Sequence, residues 1–460
     1  MTLGEVARVV DGRQVMVGSE TPINGFSIDS RSLAPGDLFV AIRGDRYDGH
    51  EFVSEAFARG ACGALVSHES ALGMPTGVGI VVHDTLSAFQ LLARYIRRIS
   101  DARVVAITGS IGKTTTKELT AGLLEARYRV CRSRGNLNNA IGLPLSLLEL
   151  RTRPEVAVVE LGMNRSGEIS RLVEISEPDV RVWTNVAEVH SEFFSSIESI
   201  ADAKSEILEG ASVDTTVVVN AEDRRIMTRL TDFPGQIETF GFGSEASVAA
   251  AEVEDRGLEG TRALIRTPVG STMVSTPLLG RSNLSNVLAA MTVAVKFEVP
   301  LEAAAERVSK LQAAPHRGQV HHLQRGIVLV DDSYNSNPLA VEAALVPLRR
   351  DLRRGRRVAV LGQMLELGKR STALHRRVGF AAAEAGLGLL ITVGEAPARA
   401  VGTAAVEAGL AADRVLHCDN SEGAANRLVG MLEDGDMVLV KGSRGVRVEL
   451  VVERLLAECS

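Results

Sequence analysis

The stretch Arg103 to Glu118, R-V-V-A-I-T-G-S-I-G-K-T-T-T-K-E, constrains this chain more than any other. Val104 to Ile107 is a continuous apolar run, as a strand covered on both faces requires, and it passes straight into a glycine turn and a helix start. Gly109 and Gly112 allow successive backbone N–H groups to curl around an anion. A helix opening near Thr114 adds the positive end of its dipole. This is the outline of a phosphate loop, in which Lys113 reaches the outer phosphates of a nucleoside triphosphate as a point charge and the Thr114 hydroxyl takes one position on a bound Mg²⁺. In the usual G-x-x-x-x-G-K-[ST] spacing the first glycine would fall at Ile107, whereas here it stands at Gly109, so the motif is a variant. The plainer alternative is a strand-to-helix turn that happens to contain Gly, Lys and Thr. The flanking strand and helix favour the phosphate loop.

A chain of 460 residues is too long for one core and suggests about three domains. At 45% hydrophobic and 23% charged it has the makings of an ordinary globular enzyme. With a net charge of −6 and basic residues interspersed among acids, neither nucleic acid nor a membrane is an expected partner. Cys62, Cys131, Cys418 and Cys459 are far apart and form no C-x-x-C pair, which suggests neither a disulfide framework nor a zinc site. Met1 to Glu20 lacks a basic start followed by an apolar core, and no apolar run approaches spanning length, so the expected location is the cytoplasm.

From Gly25 to Gly44 the sequence reads as two short strands separated by a Pro35-Gly36 turn, followed by a helix over Glu51 to Arg59. A-L-V-S-H and G-I-V-V-H supply two more strands and Leu86 to Ile99 has helical apolar spacing, which makes residues 1–100 a small α/β domain. Asp29, Ser30, Arg31, Asp48, Gly49 and His50 cluster at its strand ends, where turn and capping chemistry is the commoner reason for polar residues. Over 101–314 the strands V-V-A-I-T, V-A-V-V-E-L, V-R-V-W-T-N-V and T-T-V-V-V-N alternate with helical patterns, implying a parallel sheet wound by helices. Ligands on that architecture lie beyond the carboxyl ends of the strands, where Glu160, Asn185 and His190 fall. A buried carboxylate at Glu160 needs a cation, whether a metal or a salt-bridge partner, and a lone histidine such as His190 is more often structural. Lys204, on the helical stretch Ile200 to Glu209 with Asp202, Glu206 and Glu209 around it, reads by pattern as a surface lysine paired at helical spacing.

From Ala251 to Pro277 short strands with glycine turns form a β-rich insert, expected to cover the nucleotide, and L-L-G-R-S-N-L-S-N-V-L-A-A then opens a helix. After Ala313-Ala314-Pro315 the alternation restarts with I-V-L-V-D-D-S-Y-N-S-N-P, R-V-A-V-L-G, L-L-I-T-V-G, R-V-L-H-C and M-V-L-V-K-G-S-R, each followed by a helical run. A third, Rossmann-like domain is expected over 315–460, without the G-x-G-x-x-G that nicotinamide or flavin binding would call for.

With T-G-S-I-G-K-T-T-T-K-E, N-L-N-N-A-I-G-L-P-L, E-L-G-M-N-R-S-G-E-I and D-D-S-Y-N-S-N-P all in order, the chain resembles the ATP-dependent Mur ligases of peptidoglycan synthesis from about Asp29 to Arg447. The resemblance implies a UDP-substrate-binding domain over 1–100, a central ATP-binding domain over 101–314 and a C-terminal domain over 315–460 that binds an incoming dipeptide. It assigns Ser30, Arg31, Asp48, Gly49 and His50 to the UDP end of the substrate, and Gly109, Ser110, Ile111, Gly112, Lys113, Thr114 and Thr115 to ATP. Asn136, Asn138 and Asn139 match the segment near nucleotide and substrate. Thr114, Glu160, His190 and Lys204 match magnesium ligands, Lys204 as a carbamate formed with CO₂, which replaces the surface-lysine reading. Asn283 and Asn286 match the adenine-side helix, although Ser282 stands where the family usually has histidine. Arg317, Asp332 and Tyr334 match the face the third domain presents to ATP, and Lys441, Ser443 and Arg444 match its late loop.

The D-D-S-Y-N-S-N-P segment is similar to that of the dipeptide-adding members, which implies UDP-N-acetylmuramoyl-tripeptide and D-alanyl-D-alanine as substrates and a monomer as the working unit. ATP would make the tripeptide carboxylate reactive by phosphoryl transfer, with Lys113 and Mg²⁺ neutralising charge, before the dipeptide amine attacks. The alternatives are a Mur ligase adding a diamino acid, a nucleotide-dependent switch and a small-molecule kinase; folylpolyglutamate synthetase fits less well.

Overall fold

A computed structural model describes residues 1–15, 20–44, 46–73, 78–188, 192–351 and 355–459, so His190 lies outside the described residues. The chain is α/β throughout and divides into two compact units. One comprises Met1–Ala106, Tyr128–Met163 and Gly167–Val180, the other Ile107–Arg127, Asn164–Ser166 and Arg181–Ser460.

The first unit opens with a five-stranded sheet in the order Arg13–Val15, Gly79–Val81, Gly63–Val66, Leu38–Val40, Phe26–Ser27. Only the first pair is antiparallel. Because Phe26–Ser27 and Leu38–Val40 run parallel, the Pro35-Gly36 turn returns the chain to the start of the sheet and closes no hairpin. The helix Thr85–Ile99 begins where Asp84 accepts the Ser87 N–H, and it buries Ala88, Phe89, Leu92, Ala93 and Ile96, the row that its apolar spacing marked. Later in the same unit Val130–Arg132 pairs parallel with Val156–Glu160, whose five residues are all buried.

In the second unit the parallel strands Thr216–Asn220, Gln236–Gly241 and Val248–Asp255 are continued by Thr261–Thr267 and Gly270–Thr276, which pair antiparallel. The β-rich stretch therefore extends the edge of a parallel sheet. Beside it the helix Gly280–Lys296, buried almost continuously from Leu284 to Ala294, packs against Lys113–Leu124.

The C-terminal section of this unit is a six-stranded sheet in the order Gln319–His322, Val328–Asp332, Met437–Lys441, Arg357–Gly362, Leu389–Val393, Val415–Cys418. It is parallel apart from the first pair. Alternate residues feed opposite faces: Val328, Val330, Ala359, Leu361 and Leu439 enter one core, and Leu329, Val358, Val360, Val438 and Val440 enter the other. Two residues from outside the section, Leu258 and Leu279, enter the first of these cores. Leu258 sits between the strands Val248–Asp255 and Thr261–Thr267, where its N–H donates to Asp351 Oδ2 at 3.0 Å and Arg350 pairs with Asp255 at 2.8 Å.

Leu258 thus plugs the β-rich edge into the C-terminal core. Leu258→Ala is expected to destabilise that core by about 2–4 kcal/mol, seen as an earlier urea transition. Val253→Ala, at a side chain 39% exposed on the adjoining strand, should move the transition by less than about 0.5 kcal/mol.

Candidate active site

The turn between the strand Arg103–Thr108 and the helix Lys113–Leu124 has a conformation only glycine fits at two positions. Gly112, the residue that caps the helix, has φ +84°, and a Cβ there would lie 2.2 Å from Asn286 Oδ1. At Gly109, φ +149°, a Cβ would lie 2.0 Å from Thr184 Oγ1. Ile107, where the usual first glycine would fall, is instead a buried strand residue.

The loop is held from the end of the strand Val180–Trp183. The Asn185 side chain accepts the Ile111 N–H and donates to the Ile111 carbonyl, both at 2.9 Å, while its own carbonyl accepts the Ser110 N–H at 3.0 Å. The Thr184 hydroxyl donates to the same Ile111 carbonyl at 2.9 Å. The Ser110 hydroxyl donates to the Ala187 carbonyl at 3.1 Å and accepts the Ala187 N–H at 2.8 Å. Lys113 folds back so that its Nζ donates to the Gly109 carbonyl at 2.8 Å, which keeps the ammonium on the loop. From the other side Thr116 donates to Asn286 Oδ1 at 3.2 Å, the Asn286 amide donates to Asn283 Oδ1 at 3.2 Å, and the Asn283 amide donates to the Leu279 carbonyl at 3.0 Å. Asn283 and Asn286 therefore form a ladder toward the loop helix, and Ser282 is exposed beside it.

Lys204 departs from the surface pattern. It lies on the helix Ile197–Ser205 and is only 2% exposed. The outward row of that helix is Glu198 and Asp202, paired with Arg225 and Arg229 at 3.0 and 2.5 Å, and a residue two positions beyond Asp202 faces the opposite way. Placing an amine out of water is costly unless it is paired or its charge is changed. Glu206, also buried, accepts the Ser166 hydroxyl at 3.0 Å. The cluster of acids around Lys204 in sequence had concealed that the lysine points inward.

Further on in the same unit, Arg317 stacks over Tyr334, 4.1 Å from the ring centroid, and Arg444 approaches the same ring and donates to its hydroxyl at 3.0 Å. Lys441 is buried between Asp332 Oδ2 at 2.7 Å and the Asn335 carbonyl at 2.9 Å. Burial pushes the Asp332 carboxyl above the usual aspartate range, and the Lys441 ammonium opposes that rise. The Ser443 hydroxyl accepts the Leu365 N–H at 2.9 Å. Lys441 and Ser443 brace the strand ends, while Arg317, Tyr334 and Arg444 form their outer face.

Thr114 and Thr115 lie in the first turn of the loop helix in the second unit, and the first unit carries Ser30, Arg31, Asp48, Gly49, His50, Asn136, Asn138, Asn139 and Glu160. Glu160 closes its strand at 3% exposure and accepts the Asn138 amide at 2.8 Å. Asn139 is engaged as a cap, its side chain accepting the N–H groups of Ile141 and Gly142, whereas Asn136 is exposed. Arg31 grips Asp29 through both carboxylate oxygens at 2.9 and 2.7 Å, holding that carboxyl below the usual range, and the Ser30 hydroxyl donates to Glu55 at 3.0 Å. His50 Nδ1 meets Asp48 Oδ1 at 2.6 Å, and its Nε2 accepts the Ser67 backbone N–H at 2.9 Å with the Ser67 hydroxyl at 3.0 Å. This Ser-His-Asp grouping is no nucleophile system, because the backbone N–H already occupies the lone pair that would deprotonate Ser67. Beside it the Gly49 Cα approaches so closely that a Cβ would lie 2.7 Å from both Ile42 N and Ile42 O, so Asp48, Gly49 and His50 make a rigid corner.

Among the described residues no three His, Cys, Asp or Glu side chains gather as a metal site. A donor set that includes a threonine hydroxyl, a modified lysine and His190 would not present itself in that form. Thr116, Thr184 and Ser133, whose hydroxyl accepts the Glu160 N–H at 3.2 Å, were missed in the sequence. The one available signal was the T-N pair that follows V-R-V-W.

Three family models match the chain: the Mur ligase family catalytic domain over 22–97, the Mur ligase middle domain over 107–294, and the Mur ligase glutamate ligase domain over 316–444. The UDP-N-acetylmuramoyl-tripeptide–D-alanyl-D-alanine ligase of Escherichia coli K12 is 35% identical, the alignment covering 99% of this chain and 98% of that protein. A crystal structure of MurF from Acinetobacter baumannii superposes with a TM-score of 0.88 at 30% identity and covers 99% of both chains. MurF ligase from Thermotoga maritima, solved in complex with ADP, superposes with a TM-score of 0.81 at 29% identity and covers 94% of this chain and 97% of that one.

A left-handed backbone with a side chain costs about 1–2 kcal/mol, so Gly112→Ala is expected to weaken ADP binding by about fivefold to thirtyfold by calorimetry. Ser282→Ala, at the exposed position beside the ladder, should leave it within about twofold.

Proposed function

This chain belongs to the Mur ligase family, and from that premise we propose that it joins D-alanyl-D-alanine to UDP-N-acetylmuramoyl-tripeptide, releasing ADP and phosphate, in peptidoglycan precursor synthesis. The observation that carries this reading is the glycine-enforced phosphate loop, braced by Asn185, in a chain alignable over its whole length with a dipeptide-adding ligase. The working division is 1–100 for the UDP end of the substrate, 101–314 for ATP and 315–460 for the incoming dipeptide. The chain acts as a monomer in the cytoplasm. Among the described residues no helix is long and apolar enough to cross a membrane.

The tripeptide carboxylate oxygen attacks the γ-phosphorus of ATP, the bond to the ADP oxygen breaks, and an acyl phosphate results. The dipeptide amine then attacks the acyl carbon, phosphate leaves with the former carboxylate oxygen, and the amine loses a proton. Loop N–H groups and Lys113 offset the charge of the transferring phosphoryl group, which is the principal demand of such a step. With an α-amino pKa of about 8, a useful fraction of the dipeptide amine is neutral near pH 7, so no strong protein base is required. Arg317, Tyr334 and Arg444 orient the reactants from the third sheet.

The Thr114 hydroxyl and the Glu160 carboxylate each offer an oxygen donor of the kind that suits a hard cation such as magnesium. A bound Mg²⁺ would neutralise phosphate charge. His190 and Lys204 complete the proposed ligands, Lys204 as a carbamate whose oxygens replace an ammonium that would repel the metal. Its 2% exposure supports that assignment, since conversion to a carbamate gives a buried residue of this kind a use for its position.

ADP and phosphate should appear in equal amounts, and only when tripeptide and dipeptide are both present. A kinase would leave a stable phosphorylated product, a switch would ignore the dipeptide, and a diamino-acid ligase would accept lysine or diaminopimelate instead. Lys204→Ala and Lys204→Arg should each lose at least about a hundredfold in kcat, with a short carboxylic acid restoring part of the alanine variant's turnover. Full activity in Lys204→Arg would return Lys204 to a structural role.

A further inference from the structure

Past Ala187, which bonds the phosphate loop, described residues of the chain meet the C-terminal section at Glu188 and Glu192. Glu188 Oε1 accepts from Arg370 at 2.9 Å, and the Glu192 N–H donates to the Glu366 carbonyl at 3.2 Å. Glu366 stands at φ +61°, a region a non-glycine residue keeps only when its surroundings impose it. They do so here. The Met364 N–H donates to Nε2 of the wholly buried His375, whose Nδ1 therefore carries the proton and donates to the Ser371 carbonyl at 2.8 Å. The Gln363 carbonyl accepts the Ser443 N–H at 3.2 Å, and the Gln363 side chain accepts the Glu395 N–H at 2.8 Å. Together with the bond from Leu365 to Ser443, these contacts make residues 363–371 a rigid extension of the third sheet beside Ser443 and Arg444.

The geometry points to Arg370 as a positioning residue for ligation. Through Glu188 it couples the face proposed to hold the incoming amine to the segment that braces the phosphate loop. This inference rests on the ligase reading above. Such coupling is reciprocal: whatever orders 363–371 favours the braced loop, and the braced loop favours the placement of 363–371. Both side chains are partly exposed, at 58% for Arg370 and 33% for Glu188, so the pair is worth a modest factor that salt weakens.

The test compares Arg370→Gln, Arg370→Glu, Glu188→Arg and the double charge swap in the full-length enzyme, reading kcat, KM for each substrate, ADP affinity by calorimetry and Tm. Arg370→Gln should lower kcat/KM for the dipeptide about threefold to fivefold, and Arg370→Glu by about tenfold, because repulsion replaces attraction. ADP affinity measured without dipeptide should stay within about twofold, the gain in ADP affinity that bound dipeptide gives the wild type should be lost, Tm should not fall, and the double swap should recover most of the loss. Raising the salt should narrow the gap between wild type and Arg370→Glu. A reversal variant indistinguishable from wild type overturns the coupling, as does a loss the double swap fails to restore or one that tracks a fall in Tm across all the variants. If the wild type itself shows no dipeptide-dependent ADP release, the ligase reading fails and the coupling with it; an active wild type with indifferent variants sinks the coupling alone.

Discussion

The hydrogen bonds from Asn185 to Ile111 are the interaction on which the site depends. A loop binds phosphate through its N–H groups only if its backbone is already curled, and a curled backbone leaves carbonyls and N–H groups that need partners elsewhere. Asn185 satisfies one of each at Ile111, Thr184 donates to the same Ile111 carbonyl, and the Ala187 N–H donates to the Ser110 hydroxyl. The adjoining strand therefore supplies what the loop lacks. The glycines let the turn form, but the strand end keeps it formed before any nucleotide arrives.

The same economy appears at the other strand ends. Apolar runs bury most of the central strands on both faces, and several polar groups stand where a strand stops. Glu160, Asp332 and Lys441 all sit at such ends, each with its partner within hydrogen-bonding distance. Lys204 instead lies in the last turn of a helix and is 2% exposed. Withdrawing charge from water is acceptable only where pairing or chemical change offsets it.

Much of this was legible in the sequence because it rests on local pattern. The strands of the C-terminal section stand out as V/I/L runs punctuated by Gly, Asp and Ser, and the phosphate loop announces itself by Gly-Lys-Thr after a buried strand. What stayed hidden depends on contacts distant in the chain. Thr184 matters because it faces Ile111, some seventy positions away in sequence. Lys204 looked solvated because its neighbours are acidic, yet the helix face, not the neighbours, decides its surroundings. The parallel pairing around Pro35-Gly36 and the plugging of Leu258 into a distant core were likewise invisible, since neither pairing direction nor long-range packing is written in a turn or a single leucine. For Glu160 the family resemblance turns an acid of undecided role into a proposed metal ligand, and the structure shows it buried against the Asn138 amide.

The central claim is that ATP activates the tripeptide as an acyl phosphate which the dipeptide amine then opens. The most direct measurement follows the oxygen. With the terminal carboxylate of UDP-N-acetylmuramoyl-tripeptide labelled with ¹⁸O, the phosphate released in each turnover should carry one labelled oxygen, because the carboxylate oxygen attacks phosphorus and stays with it. Phosphate released without label, in step with amide formation, would contradict the account.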